Sequence, residues 1–273
     1  MSVLHGYTAM MRVHALQYDI RWENKAASQA CMNAMLEASP PSPGSLVVTP
    51  ELGDVGFTLN IEDLMDDRSL EWATETARRH ECWVQHNWIE AGRDRKRGRN
   101  IAAILKPDGT VAARYEKIFL FSPGREDQVY EHGDAIHLVD LDGIRMCPLI
   151  CYDLRFPELW RLATRAGAEL FTLCASWPAR RASHWRDLAI ARAIENQAWI
   201  IAVNRCGKDP HLTYSGGSLI ISPSGEVLAE AGELDEIISA DVDAESLRKW
   251  RAEFACLDDI RPEFLGSIEV VEH

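Results

Sequence analysis

The stretch RMCPLICYDLRFPELW, at residues 145–160, decides how this chain folds. Its first half is an apolar run that ends at Cys151, and charged and aromatic residues follow at once. Pro157 suits a first helical turn, so the pattern predicts a strand over Ile144–Ile150, a tight turn at the thiol and a helix to about Ala166. Because α/β proteins bind their ligands at the carboxyl ends of strands, a thiol at this corner is a candidate functional group.

Strands and helices alternate on both sides of this corner, as judged from apolar periodicity and turn signals. The other predicted strands cover Val13–Gln17, Ser45–Thr49, Cys82–Ile89, Ala135–Asp140, Leu170–Cys174, Trp199–Val203, 218–221, 226–229 and 236–241, with hairpin turns at 107–109 and 223–225. The other predicted helices run over Asn24–Glu37, Ser69–Arg79 and His184–Gln197, and from Ala244 onward. Without an internal repeat or a linker, this pattern predicts one α/β domain over residues 1–273, with a core at about 12–255 and terminal extensions at 1–11 and 261–273.

The composition is that of a globular protein with an acidic balance. A hydrophobic content of 47% in 273 residues is enough to bury a sizeable core. Because 42 acidic residues outweigh 29 basic ones, for a net charge of −13, binding to nucleic acid or to an anionic membrane is not expected. No apolar stretch reaches the roughly 20 residues that span a bilayer, and the first residues lack the apolar centre of a secretory signal. Seven scattered cysteines indicate free thiols, so a cytoplasmic location is expected.

The thiol of Cys151 has two interpretations from the local sequence. On a tight strand-to-helix turn a nucleophile is exposed, and neighbouring backbone N–H groups can hold an oxyanion. Most free cysteines, however, are small buried apolar residues. No histidine lies in an arrangement typical of a Cys–His enzyme, so a carboxylate or a lysine has to be considered as the activating partner. The local sequence leaves both interpretations open.

Two other stretches place a charged residue beside an apolar run. LVVTPELGDVGF has Glu51 directly after a strand, and ARYEKIFLFSPGREDQVYEHGD has Lys117 among aromatic and apolar neighbours. A lone ammonium is costly in such surroundings. Taken one at a time, however, a capping carboxylate and a snorkelling lysine are the common explanations.

The three stretches together resemble the nitrilase superfamily of carbon–nitrogen hydrolases. The matching motifs are TPELGDVGF, YEKIFLF and CYDLRFPELWR, in that order, and ASWP (175–178) and RAIENQ (192–197) are similar to two further family landmarks. The resemblance extends from Val13 to about Val242. It implies a four-layer α-β-β-α sandwich that associates through an outer helical layer into homodimers or larger homo-oligomers. The tail Arg261–His273 is too polar for a predicted element, and we expect it to extend toward a partner subunit.

The resemblance implies a role for each matching residue. Cys151 would be the nucleophile and Glu51 the general base and acid, with a thioester as the intermediate. Lys117 would stabilise the oxyanion beside the backbone N–H of Tyr152, and its charge would also favour the thiolate. No Cys-x-x-Cys, His-x-x-x-His or Glu-x-x-His spacing is present, so neither a metal nor a cofactor is expected.

Further residues complete the predicted site. Glu126 matches a second family carboxylate that positions the lysine, with Asp127 and Glu131 as the alternatives in the same loop. The candidate substrate-binding residues are Phe57, Trp177, Arg180 and Arg181. The candidate braces are Asp153, Arg155 and Glu195. One of the two substrate-binding arginines would hold a substrate carboxylate through a bidentate contact, unless both are surface residues at a turn.

The CYDLRFP run is most similar to the ω-amidase group, which acts on 2-oxoglutaramate and 2-oxosuccinamate. Between Glu51 and Phe57, however, Leu-Gly-Asp-Val-Gly replaces the Met-Phe-Thr-x-Gly typical of bacterial ω-amidases. The pocket wall therefore differs, and the substrate stays open. The alternatives are an N-carbamoyl amine amidohydrolase, a deaminated-glutathione amidase or, in another class, a non-catalytic binding protein. The presence of all three catalytic candidates argues against the last.

Overall fold

The computed structural model describes residues 10–273, and residues 1–9 of the predicted N-terminal extension lie outside the described part. Sixteen strands and six α-helices form in the described range. The strands are β1 Met10–Gln17, β2 Leu46–Val48, β3 Trp83–Ala91, β4 Gly98–Leu105, β5 Val111–Glu116, β6 Tyr130–Glu131, β7 Ala135–Leu141, β8 Ile144–Ile150, β9 Leu170–Ala175, β10 Trp199–Asn204, β11 Cys206–Lys208, β12 Thr213–Ser215, β13 Leu219–Ile221, β14 Val227–Glu230, β15 Glu236–Asp243 and β16 Glu269–Glu272. The α-helices are α1 Lys25–Ala38, α2 Arg68–His80, α3 Glu126–Val129, α4 Pro157–Arg165, α5 Ala182–Asn196 and α6 Ala244–Glu253.

Most strands belong to two seven-stranded sheets. The first has the order β15-β1-β2-β3-β4-β5 with β6 beside β4, and the second has the order β14-β13-β10-β9-β8-β7-β16. Strands β1, β2 and β3 are parallel, as are β8, β9 and β10. Parallel neighbours bring their carboxyl ends to one edge, so each sheet gathers the loops that follow its central strands.

Three apolar clusters show how the sheets and helices are layered. One lies between the sheets and includes Ala15 of β1 and Ile201 of β10. A second joins the first sheet to α1 and α2, where Met32 and Trp72 are buried. A third joins the second sheet to α4 and α5, where Trp160 is fully buried. Helices therefore cover the outer face of each sheet, and the predicted four-layer α-β-β-α sandwich is confirmed.

The C-terminal segment departs from the prediction. Strand β16 pairs in parallel with β7, with Val270 opposite Ile136, and Arg145 bonds to Glu272 at 2.6 Å. The expectation that 261–273 forms no element is therefore wrong, because its last residues add an edge strand to the second sheet of their own chain. A short edge strand of mixed polarity gives little periodic signal, which explains the error.

Candidate active site

Cys151 occupies a strained corner between β8 and α4. It is the first residue of a short 3₁₀ turn over Cys151–Arg155, and its backbone is left-handed, with φ of 46°. This conformation is uncommon for residues other than glycine, and such strain is concentrated at functional sites. The residue is half-buried and lines a cavity. The corner therefore presents the sulfur to a ligand, which does not fit a buried apolar spacer.

Asp153 ties this corner to the segment that follows Lys117. Its carboxylate accepts hydrogen bonds from the backbone N–H groups of Ile150 (2.9 Å) and Phe119 (3.0 Å) and from the Tyr115 hydroxyl (2.8 Å). Burial raises the pKa of this carboxyl to about 6, although all three donors favour its ionised form. Asp153 thus holds the cysteine turn and the lysine segment against each other.

The side chain of Lys117 lies between two carboxylates, and all three groups are fully buried. Its Nζ is 2.6 Å from Oε1 of Glu51 and 2.8 Å from Oε2 of Glu126. Of the three acids considered in that loop, Glu126 is the one beside the lysine, because Asp127 is exposed and Glu131 bonds elsewhere. Two carboxylates therefore face one ammonium in a site shielded from water.

Glu51 projects from the loop after β2, and strand β3 holds that loop in place. Leu52 is left-handed, with φ of 46°, and its N–H donates to Oδ1 of Asn87. Oε2 of Glu51 accepts a hydrogen bond from the backbone N–H of Ser176 (2.9 Å), directly after β9. Oε1 accepts one from Nδ2 of Asn100 (3.0 Å). The loop thus joins the two sheets at the edge where their central strands end.

Two site residues were not predicted from the sequence. Asn87 and Asn100 are fully buried, and Nδ2 of Asn87 donates to Oδ1 of Asn100 at 3.0 Å. A signal exists, because Gln85-His86-Asn87 is a polar run inside a buried strand, and buried polar groups need partners. Ser176 was noted only as part of the ASWP motif.

Burial and neighbouring charges set the protonation of the site. Burial raises the pKa of Cys151 well above its ordinary value, Glu51 raises it further, and Lys117 lowers it. The thiol therefore rests in its protonated form, and the expected effect of Lys117 on the thiolate is present but outweighed. Burial alone lowers the pKa of Lys117, but the charges of Glu126 and Glu51 raise it well above its ordinary value. The ammonium therefore stays charged, while the thiol needs a base.

A cavity of about 470 Å³ opens onto the thiol. The candidate substrate-binding residues Phe57, Trp177, Arg180 and Arg181 all line it. Further aromatic walls come from Trp22, Phe121, Tyr152 and Tyr214. The volume lies in the range that drug-sized ligands fill, and mostly apolar walls with a few polar groups are typical of small-molecule sites.

Three arginines of the cavity wall form no ion pair with a carboxylate of the described chain. They are Arg155, Arg180 and Arg181. Arg155, a predicted brace, lies over the Trp177 ring at 4.7 Å, and Arg181 lies over the Phe121 ring at 5.4 Å. Burial lowers the pKa of Arg181, and the charges of Arg180 and Arg155 lower it further. An anionic ligand would relieve this repulsion.

Glu195 reaches the cysteine turn only through another residue. It accepts a hydrogen bond from Nη1 of Arg192 (2.8 Å), whose Nη2 donates to the carbonyl of Leu154 (2.9 Å). The side chain of Glu195 is 34% exposed, so it lies partly in solvent. The buried Arg192 is the group that holds the turn.

Two features are absent from the described range, namely a metal-binding cluster and a membrane-spanning helix. Within residues 10–273, no group of three or more histidine, cysteine, aspartate and glutamate side chains is arranged to hold a metal ion. No helix in that range combines the length and the apolarity needed to cross a bilayer.

Comparisons with known proteins give a consistent result. The sequence matches the Carbon-nitrogen hydrolase family over residues 12–252. It is 34% identical to a 2-oxoglutaramate amidase of Bacillus subtilis (strain 168), with 92% of this chain and 98% of the relative covered. It is 32% identical to the omega-amidase YafV of Escherichia coli (strain K12), with 91% and 96% covered. A crystal structure of a CN-hydrolase superfamily protein from Xanthomonas campestris, with an arsenic adduct in its active site, matches with a TM-score of 0.85 at 30% identity, covering 92% of this chain and 97% of that one.

Proposed function

The chain belongs to the carbon–nitrogen hydrolase family and is a hydrolytic enzyme acting on amides, and from this premise we propose that its substrate is a small amide bearing a carboxylate. The first candidate is 2-oxoglutaramate, the substrate for which a 34% identical relative is named. Hydrolysis would give the corresponding dicarboxylate and ammonia. The enzyme would then act as an ω-amidase.

The arginines beside the thiol are the observation that carries this proposal. In a chain with a net charge of −13, Arg155, Arg180 and Arg181 line one cavity without a carboxylate partner among the described residues. Unpaired guanidinium groups suit a bidentate contact with a carboxylate. A substrate with an amide at one end and a carboxylate at the other would meet Cys151 and this cluster at the same time.

In the proposed mechanism, Sγ of Cys151 attacks the carbonyl carbon of the amide while Glu51 accepts the thiol proton. The electrons of the carbonyl double bond move to oxygen, and the oxyanion is held by Nζ of Lys117 and the backbone N–H of Tyr152. An ammonium has three N–H donors. Lys117 directs one to Glu51 and one, shared between the two carboxylate oxygens, to Glu126, so the third is left for the substrate. Because the thiol rests protonated, a carboxylate base beside it is required.

The intermediate then collapses and breaks the carbon–nitrogen bond. Glu51 gives its proton to the departing nitrogen, which releases ammonia and leaves a thioester on Cys151. In the second half, Glu51 takes a proton from water as the water oxygen attacks the thioester. The carbon–sulfur bond breaks, the acid leaves, and the proton returns to the thiol.

The size of the cavity favours a second candidate. A volume of about 470 Å³ is larger than 2-oxoglutaramate alone needs, since cavities of this size hold drug-sized ligands. A longer amide, such as deaminated glutathione, would also place a carboxylate among the arginines. An N-carbamoyl amine offers a similar reacting group but does not need a carboxylate at its other end.

Ammonia release with a panel of substrates tests the proposal. The panel contains 2-oxoglutaramate, glutamine, deaminated glutathione and an N-carbamoyl amine. We expect the highest kcat/KM with 2-oxoglutaramate. Higher turnover of deaminated glutathione would select the second candidate, and turnover of the N-carbamoyl amine alone would contradict a carboxylate-bearing substrate.

Replacing Arg181 by methionine is expected to raise the KM for 2-oxoglutaramate by about 10- to 100-fold, with kcat nearly unchanged. The reason is that a charge-assisted bond to the distal carboxylate acts equally on the bound substrate and on the transition state. Steady-state kinetics of ammonia release measure the effect.

Two comparisons make this prediction specific. Arg180→Met removes an exposed arginine of the same cluster and should have a smaller effect. A neutral amide without a carboxylate should show the same KM with wild type and with Arg181→Met. An equal rise in KM for that neutral amide would show that Arg181 shapes the cavity and does not bind the anion.

A further inference from the structure

Asn87 and Asn100 form a relay of side-chain amides between the Glu51 loop and the two buried carboxylates. Nδ2 of Asn100 lies 3.0 Å from Oε1 of Glu51 and 3.0 Å from Oε1 of Glu126. Its backbone carbonyl accepts the N–H of Lys117 at 3.0 Å. A single neutral residue thus contacts both carboxylates and the backbone of Lys117, although the mechanism above gives it no role.

We propose that Asn100, oriented by Asn87, is a positioning residue that keeps Glu51 and Glu126 ionised together and leaves Oε2 of Glu51 as the oxygen that carries the proton. The proposal deepens the mechanism above and rests on Glu51 being the base. It distinguishes Oε2 of Glu51, which would carry the proton, from the other three carboxylate oxygens, which accept hydrogen bonds.

The direction of the relay is fixed at both ends. The backbone N–H of Leu52 can only donate, so the group of Asn87 that it meets is the oxygen Oδ1. Nδ2 of Asn87 must then face Oδ1 of Asn100, at 3.0 Å. Nδ2 of Asn100 is left to face Glu51 and Glu126, which as carboxylates can only accept. Reversing either amide would set oxygen against oxygen.

The four carboxylate oxygens of Glu51 and Glu126 differ in how many hydrogen-bond donors each one receives. Each carboxylate oxygen offers about two lone-pair sites. Oε1 of Glu51 receives Lys117 (2.6 Å) and Asn100 (3.0 Å). Both oxygens of Glu126 are likewise doubly occupied: Oε1 by the same two residues, at 3.0 Å each, and Oε2 by Lys117 (2.8 Å) and the N–H of Phe121 (2.6 Å).

Oε2 of Glu51 differs from the other three oxygens. Its one hydrogen-bond donor among the described residues is the N–H of Ser176 at 2.9 Å, and the thiol of Cys151 interacts with the carboxylate of Glu51. It is therefore the oxygen with a site free for the thiol proton.

The donors of Asn100 also favour the charged forms of both acids. Two buried carboxylates that share one ammonium tend to hold a proton between them. Burial raises the pKa of Glu126, Lys117 lowers it and Glu51 raises it, so without a further donor Glu126 would compete for that proton. Hydrogen bonds from Asn100 favour both ionised forms and keep Glu126 from taking part in proton transfer.

Asn87→Asp tests the relay without changing any group that touches the carboxylates. Aspartate has no Nδ2 donor, so the Asn100 amide is expected to reverse and turn its oxygen toward Glu51 and Glu126. We expect the acidic limb of the kcat/KM profile to move up by about one to two pH units, and kcat/KM at neutral pH to fall about 10²-fold. A purely structural defect would lower the active fraction and leave the profile in place.

Of the other titratable groups near the pair, Asp153 has a carboxyl pKa of about 6, but its hydrogen-bond donors are the same in wild type and in Asn87→Asp. The difference between the two profiles therefore reports on the pair. Lys117 and Cys151 face it within the site, and Tyr130, Cys174 and Tyr214 lie around it. The pKa of each of the last three is raised by burial, so they remain protonated over the range measured.

Alkylation of Cys151 by iodoacetamide, followed on its own peptide by mass spectrometry, gives a readout that needs no substrate. We expect the pH dependence of alkylation to shift upward in Asn87→Asp and less so in Asn87→Ala. The alanine variant replaces the aspartate variant in this test if the latter does not fold. Asn33→Asp, whose Oδ1 accepts the Trp72 indole N–H at 2.8 Å, is the matched control and should behave as wild type. Folded Asn87 variants with the wild-type profile would overturn the relay, whereas an unchanged profile in Glu51→Gln would instead refute Glu51 as the base.

Discussion

A Cys151→Ala variant is expected to lose amide hydrolysis by about 10⁵-fold or more, to the background rate. The reason is that no other group in the cavity can form the thioester. Burial raises the pKa of Cys147 and of Cys174, and both thiols are fully buried, so neither can replace the missing sulfur. Ammonia release from the best substrate of the panel measures the loss.

The variant should keep its fold, because alanine and cysteine tolerate the left-handed corner about equally and the substitution removes only the sulfur that faces the cavity. Cys256→Ala, which removes another half-buried thiol, is the control and should retain full activity. In Glu51→Gln, intact mass is expected to reveal an acyl adduct on Cys151 where thioester hydrolysis is slowed. Folded Cys151→Ala with substantial turnover would refute the whole mechanism.

The fold was predictable because its strands are apolar runs closed by turn residues. Strand β8 covers Ile144–Ile150 and helix α4 begins at Pro157, both as the sequence indicates. Strand β16 was not predictable, because Glu-Val-Val-Glu over Glu269–Glu272 becomes a strand only through its pairing with β7. Pairing of this kind depends on contacts between distant parts of the chain, which local periodicity does not contain.

The meeting of three motif residues in one cavity was predictable, but the side chains that support them were not. Glu51, Lys117 and Cys151 each belong to a motif, and the fold brings the three motifs to one cavity. Asn87 and Asn100 meet through the register of β3 and β4, in which Asn87 lies opposite Ala102 and Asn100 opposite Ile89. A shift by one residue would send these side chains to opposite faces, and register cannot be derived from one sequence.

Replacing Lys117 by methionine is expected to abolish activity and to lower the free energy of unfolding by about 3–5 kcal/mol at pH 8. Removing the oxyanion donor alone typically lowers the rate by about 10²–10³-fold. The loss of stability follows from the fully buried Glu51 and Glu126, which would keep their charges without a counter-ion. Urea unfolding monitored by circular dichroism measures the stability, and ammonia release measures the rate.

This loss of stability should depend on pH. Burial already raises the pKa of Glu126, and removing the ammonium would raise it further above the value of about 4.3 in the unfolded chain. The folded variant then binds more protons than the unfolded chain, so its stability falls as the pH rises above that value. The difference from wild type should therefore be smaller at pH 5 than at pH 8.

A double variant separates charge from packing. Lys117→Met with Glu126→Gln leaves one buried carboxylate, which retains Asn100 and Ser176 as donors. It should recover a large part of the lost stability, while activity stays absent because the oxyanion donor is still missing. If excess negative charge causes the loss of stability in Lys117→Met, the double variant should be stable but inactive. A packing defect at Lys117 would not be repaired by a change at Glu126.

Lys25→Met is the matched control for the lysine itself. Lys25 is also buried, and its Nζ lies 2.9 Å from Asp66, but 34% of that partner's side chain is exposed. Water can solvate the carboxylate left behind, so this variant should lose less stability and should show little dependence on pH above about 5. Equal losses for Lys25→Met and Lys117→Met at pH 8 would show that Glu51 and Glu126 tolerate their charge without the lysine, and that Lys117 contributes nothing specific to stability.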